Sequence, residues 1–133
     1  MSAPTSRSAL PGSPGSTSGG PGLTDSEFDA RTQAVLAAIE ATLDRWLQDD
    51  EIDIDSHRTG GLLELVFPGG SKIVVNTQPP LHELWLAART GGYHFRLVDG
   101  RWIDSRSGGE FFAVLSREIT AQAGRPLLIG PSV

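Results

Sequence analysis

The side chains best suited to chemistry in this chain are carboxylates. Residues 40–55 hold seven acids, Glu40, Asp44, Asp49, Asp50, Glu51, Asp53 and Asp55, against the single base Arg45. Oxygen ligands with no neighbouring thiolate or imidazole select hard or borderline cations: calcium, magnesium, manganese or iron. The same carboxylates can instead steer and hold an Arg- or Lys-rich protein surface. Residue types alone leave both roles open. An EF-hand, superficially matched by Asp49, Glu51 and Asp53, fails because Ile54 stands where that loop requires glycine. Most charge runs are simply solvated faces, but this one breaks two local rules. Asp44, Asp49 and Asp50 fall near the expected carboxyl end of a helix, where the macrodipole makes each acid unfavourable by about 0.3–1 kcal/mol at low salt. Glu51, Asp53 and Asp55 alternate with Ile52 and Ile54, and a strand would set these acids on one side about 6–7 Å apart. Such violations tend to fall at functional sites.

The chain of 133 residues has a formal net charge of -5, and residues 40–55 alone carry -6. Residues 1–22 add only Arg7, and the remainder holds 9 acids and 9 bases. The charge is therefore a local property. Its sign speaks against a nucleic-acid backbone or an anionic membrane as partner. With no cysteine, the chain alone cannot build a disulfide framework, thiolate metal site or cysteine nucleophile. No run approaches the roughly 18–20 apolar residues of a membrane span. A soluble protein is expected, and the cytoplasm is its expected location. Residues 1–22 take 15 positions from Ser, Gly and Pro and read as a disordered tail ahead of a domain at residues 23–133.

The elements that must position the acids follow from pattern. Thr24-Asp-Ser-Glu27 has capping-box spacing. Phe28, Val35, Ile39, Leu43 and Trp46 recur at helical spacing, so a first helix runs to about Leu47. Six short strand-like runs follow, at residues 51–55, 62–67, 72–75, 81–88, 93–98 and 101–104. Pro68-Gly69-Gly70, Gly91-Gly92 and Asp99-Gly100 provide turns between them. Phe111, Phe112, Leu115 and Ile119 predict a second helix over residues 110–123, stopped by Gly124. The expected fold is α+β: a two-layer sandwich with two terminal helices on one face of a mainly antiparallel sheet of about six strands. Trp85 alternates with Leu84 and Leu86, so it points away from the core if they point inward, as a candidate binding anchor. His57, His82 and His94 lie on different segments and read as surface or hydrogen-bonded histidines. Phosphate loops, H-E-x-x-H and G-x-S-x-G are absent, and an enclosed catalytic site is not indicated.

The run Gly70-Ser-Lys-Ile-Val-Val-Asn-Thr-Gln-Pro-Pro-Leu-His82, then Glu83-Leu-Trp-Leu-Ala87 and Gly91-Gly-Tyr-His-Phe95, closely resembles the central sheet of bacterial frataxin, the CyaY family. Trp102, Asp104, the Arg106-Ser-Gly stretch, Phe111-Phe112 and the entry Asp25-Ser-Glu-Phe28 continue the similarity, which covers roughly residues 24–124. The resemblance implies a frataxin-like fold and weak binding of ferrous and ferric iron on an exposed acidic ridge. It also implies docking on the cysteine desulfurase and scaffold machinery of iron–sulfur cluster assembly, as a regulator or iron donor rather than an enzyme. Matched by position, the ridge is Glu40, Asp44, Asp49, Glu51, Asp53 and Asp55, with Asp50 a local addition. Trp85, Asn76 and Gln78 fall on the partner-facing surface. Some relatives are discussed as ferroxidases, and a monomer with iron-dependent self-association is the implied assembly behaviour. Ala41, Arg45 and Leu47 stand where relatives commonly carry acids, which favours a docking surface first and an iron site second.

Overall fold

A computed structural model describes residues 22–131. The expected tail, residues 1–22, lies outside that range except for Gly22, which is exposed. The first helix, α1 (Asp25–Gln48), begins at the capping box. Glu27 N donates to Thr24 Oγ1 at 3.1 Å and Thr24 N donates to Glu27 Oε1 at 2.9 Å. The helix buries Phe28, Val35, Leu36, Ile39, Leu43 and Trp46, one continuous stripe against the sheet. Leu36 and Ile39 are fully buried, and truncating either to alanine costs about 2–5 kcal/mol.

The sheet is a six-stranded antiparallel meander in chain order: β1 (Asp55–Thr59), β2 (Leu62–Val66), β3 (Lys72–Gln78), β4 (Glu83–Ala88), β5 (Gly91–Val98) and β6 (Arg101–Asp104). Its inner face supplies Leu63, Leu65, Ile73, Val75, Leu84, Leu86, Phe95 and Trp102 to the core. Helix α2 (Phe111–Ala123) closes the layer with Phe111, Phe112, Leu115 and Ile119. Glu110 caps it by accepting from Phe112 N and Ala113 N, and Gly124 ends it at φ 76°, a left-handed position where glycine avoids Cβ strain. The expected two-layer sandwich is thus the observed fold, with both helices on one face.

The expected strand at residues 51–55 is displaced. β1 starts at Asp55, and residues 51–54 leave α1 without sheet pairing. The tight Gly60–Gly61 turn sets Thr59 opposite Leu62 and so Asp55 opposite Val66. Residues 51–54 therefore overrun the end of the partner strand and find no ladder. Their alternation still records burial: Ile54 is buried, Ile52 half-buried, and Glu51 and Asp53 are exposed. β1 itself has no buried residue, so no apolar period marks it. Other boundaries move as well: β3 runs on to Gln78, past the expected end at Val75. Residues 79–81 form a 3-10 turn ending in a left-handed His82, so β4 starts at Glu83. Gly91 and Gly92 belong to β5, opposite Ala88 and Ala87, and the turn is Arg89–Thr90. Among the described residues no helix is long and apolar enough to cross a membrane.

Candidate functional site

The carboxylates form an exposed strip from the second half of α1 across the connection into β1. Glu40 is half-buried and paired with Arg58 of β1, Nη1 to Oε1 at 2.6 Å. Asp44 follows one turn later and is exposed, as are Asp49, Asp50, Glu51, Asp53 and Asp55. Asp49 caps the helix, its N–H donating to Arg45 O at 2.9 Å. Asp50 takes φ 58°, which reverses the chain and leads to Glu51. There Arg125, just beyond α2, reaches back: its Nη1 donates to Glu51 O at 2.6 Å and its Nη2 pairs with the Glu51 carboxylate. Two of the seven acids thus have internal counter-ions. Among the described residues the other five make no ion pair.

The acids follow one another along α1 and its exit, but they do not converge. Among the described residues no three His, Asp or Glu side chains group closely enough to hold a metal ion. The donor set suits an oxygen-seeking cation that keeps most of its water, and it suits a basic protein surface equally well.

The second feature lies on the outer sheet face. Trp85 is half-buried and points opposite to the fully buried Leu84 and Leu86, as alternation predicts. Register places Asn76 and His94 on either side of it, with Leu62 beyond Asn76. The Trp85 and His94 rings stack at 4.1 Å with planes 7° apart. Trp85 Nε1 donates to Glu83 Oε1 at 2.8 Å, and Arg96 Nε donates to Glu83 Oε2 at 2.8 Å. Burial pushes the Glu83 carboxyl up, but the hydrogen bonds from Trp85 and Arg96 and the neighbouring positive charge outweigh it, leaving it below its ordinary value. A groove of about 180 Å³ lined by Val74, Asn76, Trp85, Ala87 and His94 opens beside the stack. Gln78 sits at the end of β3 opposite Glu83.

Glu83, His94 and Arg96 were not among the sequence candidates. The signal was available: Glu83 shares parity with Trp85, and the short β4–β5 turn fixes which β5 residues face them. His82 is structural, stacked on Phe28 at 5.0 Å with Nε2 2.8 Å from Asp25 Oδ1, which ties the 3-10 turn to the start of α1.

Comparison with known proteins bears directly on this arrangement. The profile of the frataxin-like domain matches residues 21–125. The iron-sulfur cluster assembly protein CyaY of Paraburkholderia phymatum is 53% identical over 109 residues, 82% of this chain and 100% of the relative. The protein of the same name from Verminephrobacter eiseniae is 51% identical over 105 residues, 79% of this chain and 96% of its own. Among solved structures, the CyaY-family frataxin of Psychromonas ingrahamii superposes with a TM-score of 0.69 at 35% identity, covering 79% of this chain and 96% of that one. A trimeric frataxin from Saccharomyces cerevisiae complexed with ferrous iron gives 0.60 at 26%, covering 71% and 86%. A frataxin-like match over residues 21–125, relatives about half identical along nearly their whole length and a shared fold of two helices on an antiparallel meander agree: the chain belongs to the frataxin-like, CyaY family.

Proposed function

We propose that this protein is a non-catalytic, cytoplasmic regulator of iron–sulfur cluster assembly. It docks on the cysteine desulfurase through the ridge and the Trp85 face, and it takes ferrous or ferric iron weakly on the ridge as cargo. The observation that carries the reading is the confinement of the net charge to one exposed strip, on a chain half identical to relatives named iron-sulfur cluster assembly proteins. Electrostatic steering by such a strip accelerates encounter with a basic partner, while the tryptophan face supplies short-range contact.

The test compares Trp85→Ala with the triple variant Asp49→Asn, Asp53→Asn and Asp55→Asn. Anaerobic iron titration and desulfurase binding are measured for each. The triple variant is expected to lose affinity for both iron and desulfurase, and Trp85→Ala for the desulfurase alone. Unchanged desulfurase affinity in both variants would overturn the reading.

The dispersed carboxylates favour a second reading, a protein-interaction module with no physiological metal, because among the described residues no three acids converge and Glu40 and Glu51 already hold arginines. Full control of cluster assembly by a variant that binds no iron would select it.

A further inference from the structure

Trp85 does not project from the sheet as a free side chain. Its indole lies flat on His94, and its N–H is already donated to Glu83. Glu83 precedes Trp85 by two positions on β4 and faces the same way, yet it is only 8% exposed. A carboxylate on the outer face of a sheet normally stands in water. Here both oxygens are spent: one accepts from Trp85 Nε1 and the other from Arg96 Nε, each at 2.8 Å. Arg96 lies opposite Glu83 and His94 lies opposite Trp85 on β5, so two successive cross-strand pairs form one closed unit.

We propose that Glu83 is the positioning residue of the docking face: it holds Trp85 in the stacked orientation before a partner arrives and withdraws the indole N–H from recognition. The partner then meets indole carbon beside the groove of Val74, Asn76 and Ala87, so it must offer an aliphatic or aromatic side chain rather than a carbonyl acceptor. An acceptor from outside would have to displace a charge-assisted network to reach the N–H. Fixing the side chain in advance lowers the ordering cost of docking. The consequence for affinity rests on the docking reading above, whereas the geometry does not, and the two are tested separately.

The first measurement uses the free full-length protein. NMR follows the Trp85 indole proton and the His94 ring protons in Glu83→Ala, in Arg96→Met and in the double variant Glu83→Gln with Arg96→Met, with a thermal melt to verify folding. Glutamine has one oxygen for two donors, so it is paired with Arg96→Met: in the double variant that oxygen accepts from the indole with no guanidinium facing the amide NH2, and Arg96→Met alone removes only the guanidinium. Both should keep the ring-current shift of His94 and the slow exchange of the indole proton, while alanine loses both. The second measurement is desulfurase affinity. It should fall about three- to tenfold in Glu83→Ala, the cost of ordering one or two side chains, and in the double variant stay near that of Arg96→Met alone. Unchanged indole and His94 signals in Glu83→Ala, or equal losses for Glu83→Ala and the double variant, would overturn the proposal. If Trp85→Ala leaves desulfurase affinity intact, the docking role of the Trp85 face fails, and with it the affinity consequence. The free-protein spectra then decide the positioning role alone.

Discussion

Two carboxylates outside the ridge hold the fold more firmly than any within it. Asp104 is 4% exposed and accepts from His94 N at 3.0 Å, Ser107 N at 2.8 Å and Ser107 Oγ at 2.7 Å, tying β5 and β6 to the turn that leads into α2. Burial works to raise its carboxyl, but the bonds from Ser107 and the His94 amide overcome it, so Asp104, like Glu83, lies below its ordinary value. A depressed folded value gives stability that is present above the unfolded carboxylate range and lost as pH falls through the folded value. Urea unfolding between about pH 5 and about pH 2 should therefore show a shallower loss of stability in Asp104→Asn than in wild type. At neutral pH the same variant should be about 1–3 kcal/mol less stable, because an amide turns one donor toward donors. An acid slope identical to wild type would contradict this account. The ridge acids should behave in the opposite sense. Replacing Asp49, Asp53 and Asp55 by Asn relieves like-charge repulsion at the helix end and should raise Tm by a few degrees at low salt, less at high salt. Glu51→Gln should give no such gain, since it breaks the pair with Arg125. Alternation alone made the outward direction of Trp85 legible. It could not show that Glu83 is buried on the same face, because that burial comes from Trp85 and Arg96 closing over it.

At the level of elements, the sequence was most legible where two signals coincided. Helix α1 had both a capping box and a stripe of apolar residues, and its start and burial agree with expectation. The run at residues 51–55 had only alternation, which tracks burial but not pairing. Ile54 packs in the core whether or not the backbone joins a ladder. Pairing was decided by the two-residue Gly60–Gly61 turn, and a close approach of Gly61 to β3, which no local pattern reveals, seats that turn against the sheet. Gly61 lies directly opposite Thr77 of β3, whose N–H donates to Gly61 O at 2.9 Å, and a Cβ at Gly61 would run into the Thr77 hydroxyl. Gly61→Ala should therefore cost about 1–3 kcal/mol, the usual penalty for overpacking. Hydrogen exchange should report loosened protection in β1 and β2 with α2 unaffected. A variant as stable as wild type would show that Thr77 yields freely and that register is held elsewhere.

Across the whole molecule, the separation of charge from scaffold makes a kinetic prediction. The strip of residues 40–55 carries -6 while residues 23–39 and 56–133 together are neutral, so the long-range field belongs almost wholly to one edge. The Trp85 platform, in contrast, works by contact and is indifferent to ions beyond the Debye length of about 8–10 Å. The two surfaces should therefore control different steps of docking on the desulfurase. Raising salt from about 0.05 to about 0.5 M should slow association about tenfold while changing dissociation little. The Asp49, Asp53 and Asp55 triple variant should associate slowly at low salt and show a flattened salt dependence. Trp85→Ala should retain the wild-type salt slope of association and dissociate faster, as loss of a short-range anchor does. Stopped-flow or surface-based kinetics on the three proteins separates these cases. Equal salt slopes in wild type and the triple variant would mean that the strip does not face the desulfurase during approach. The charge would then have to serve the cation rather than the partner.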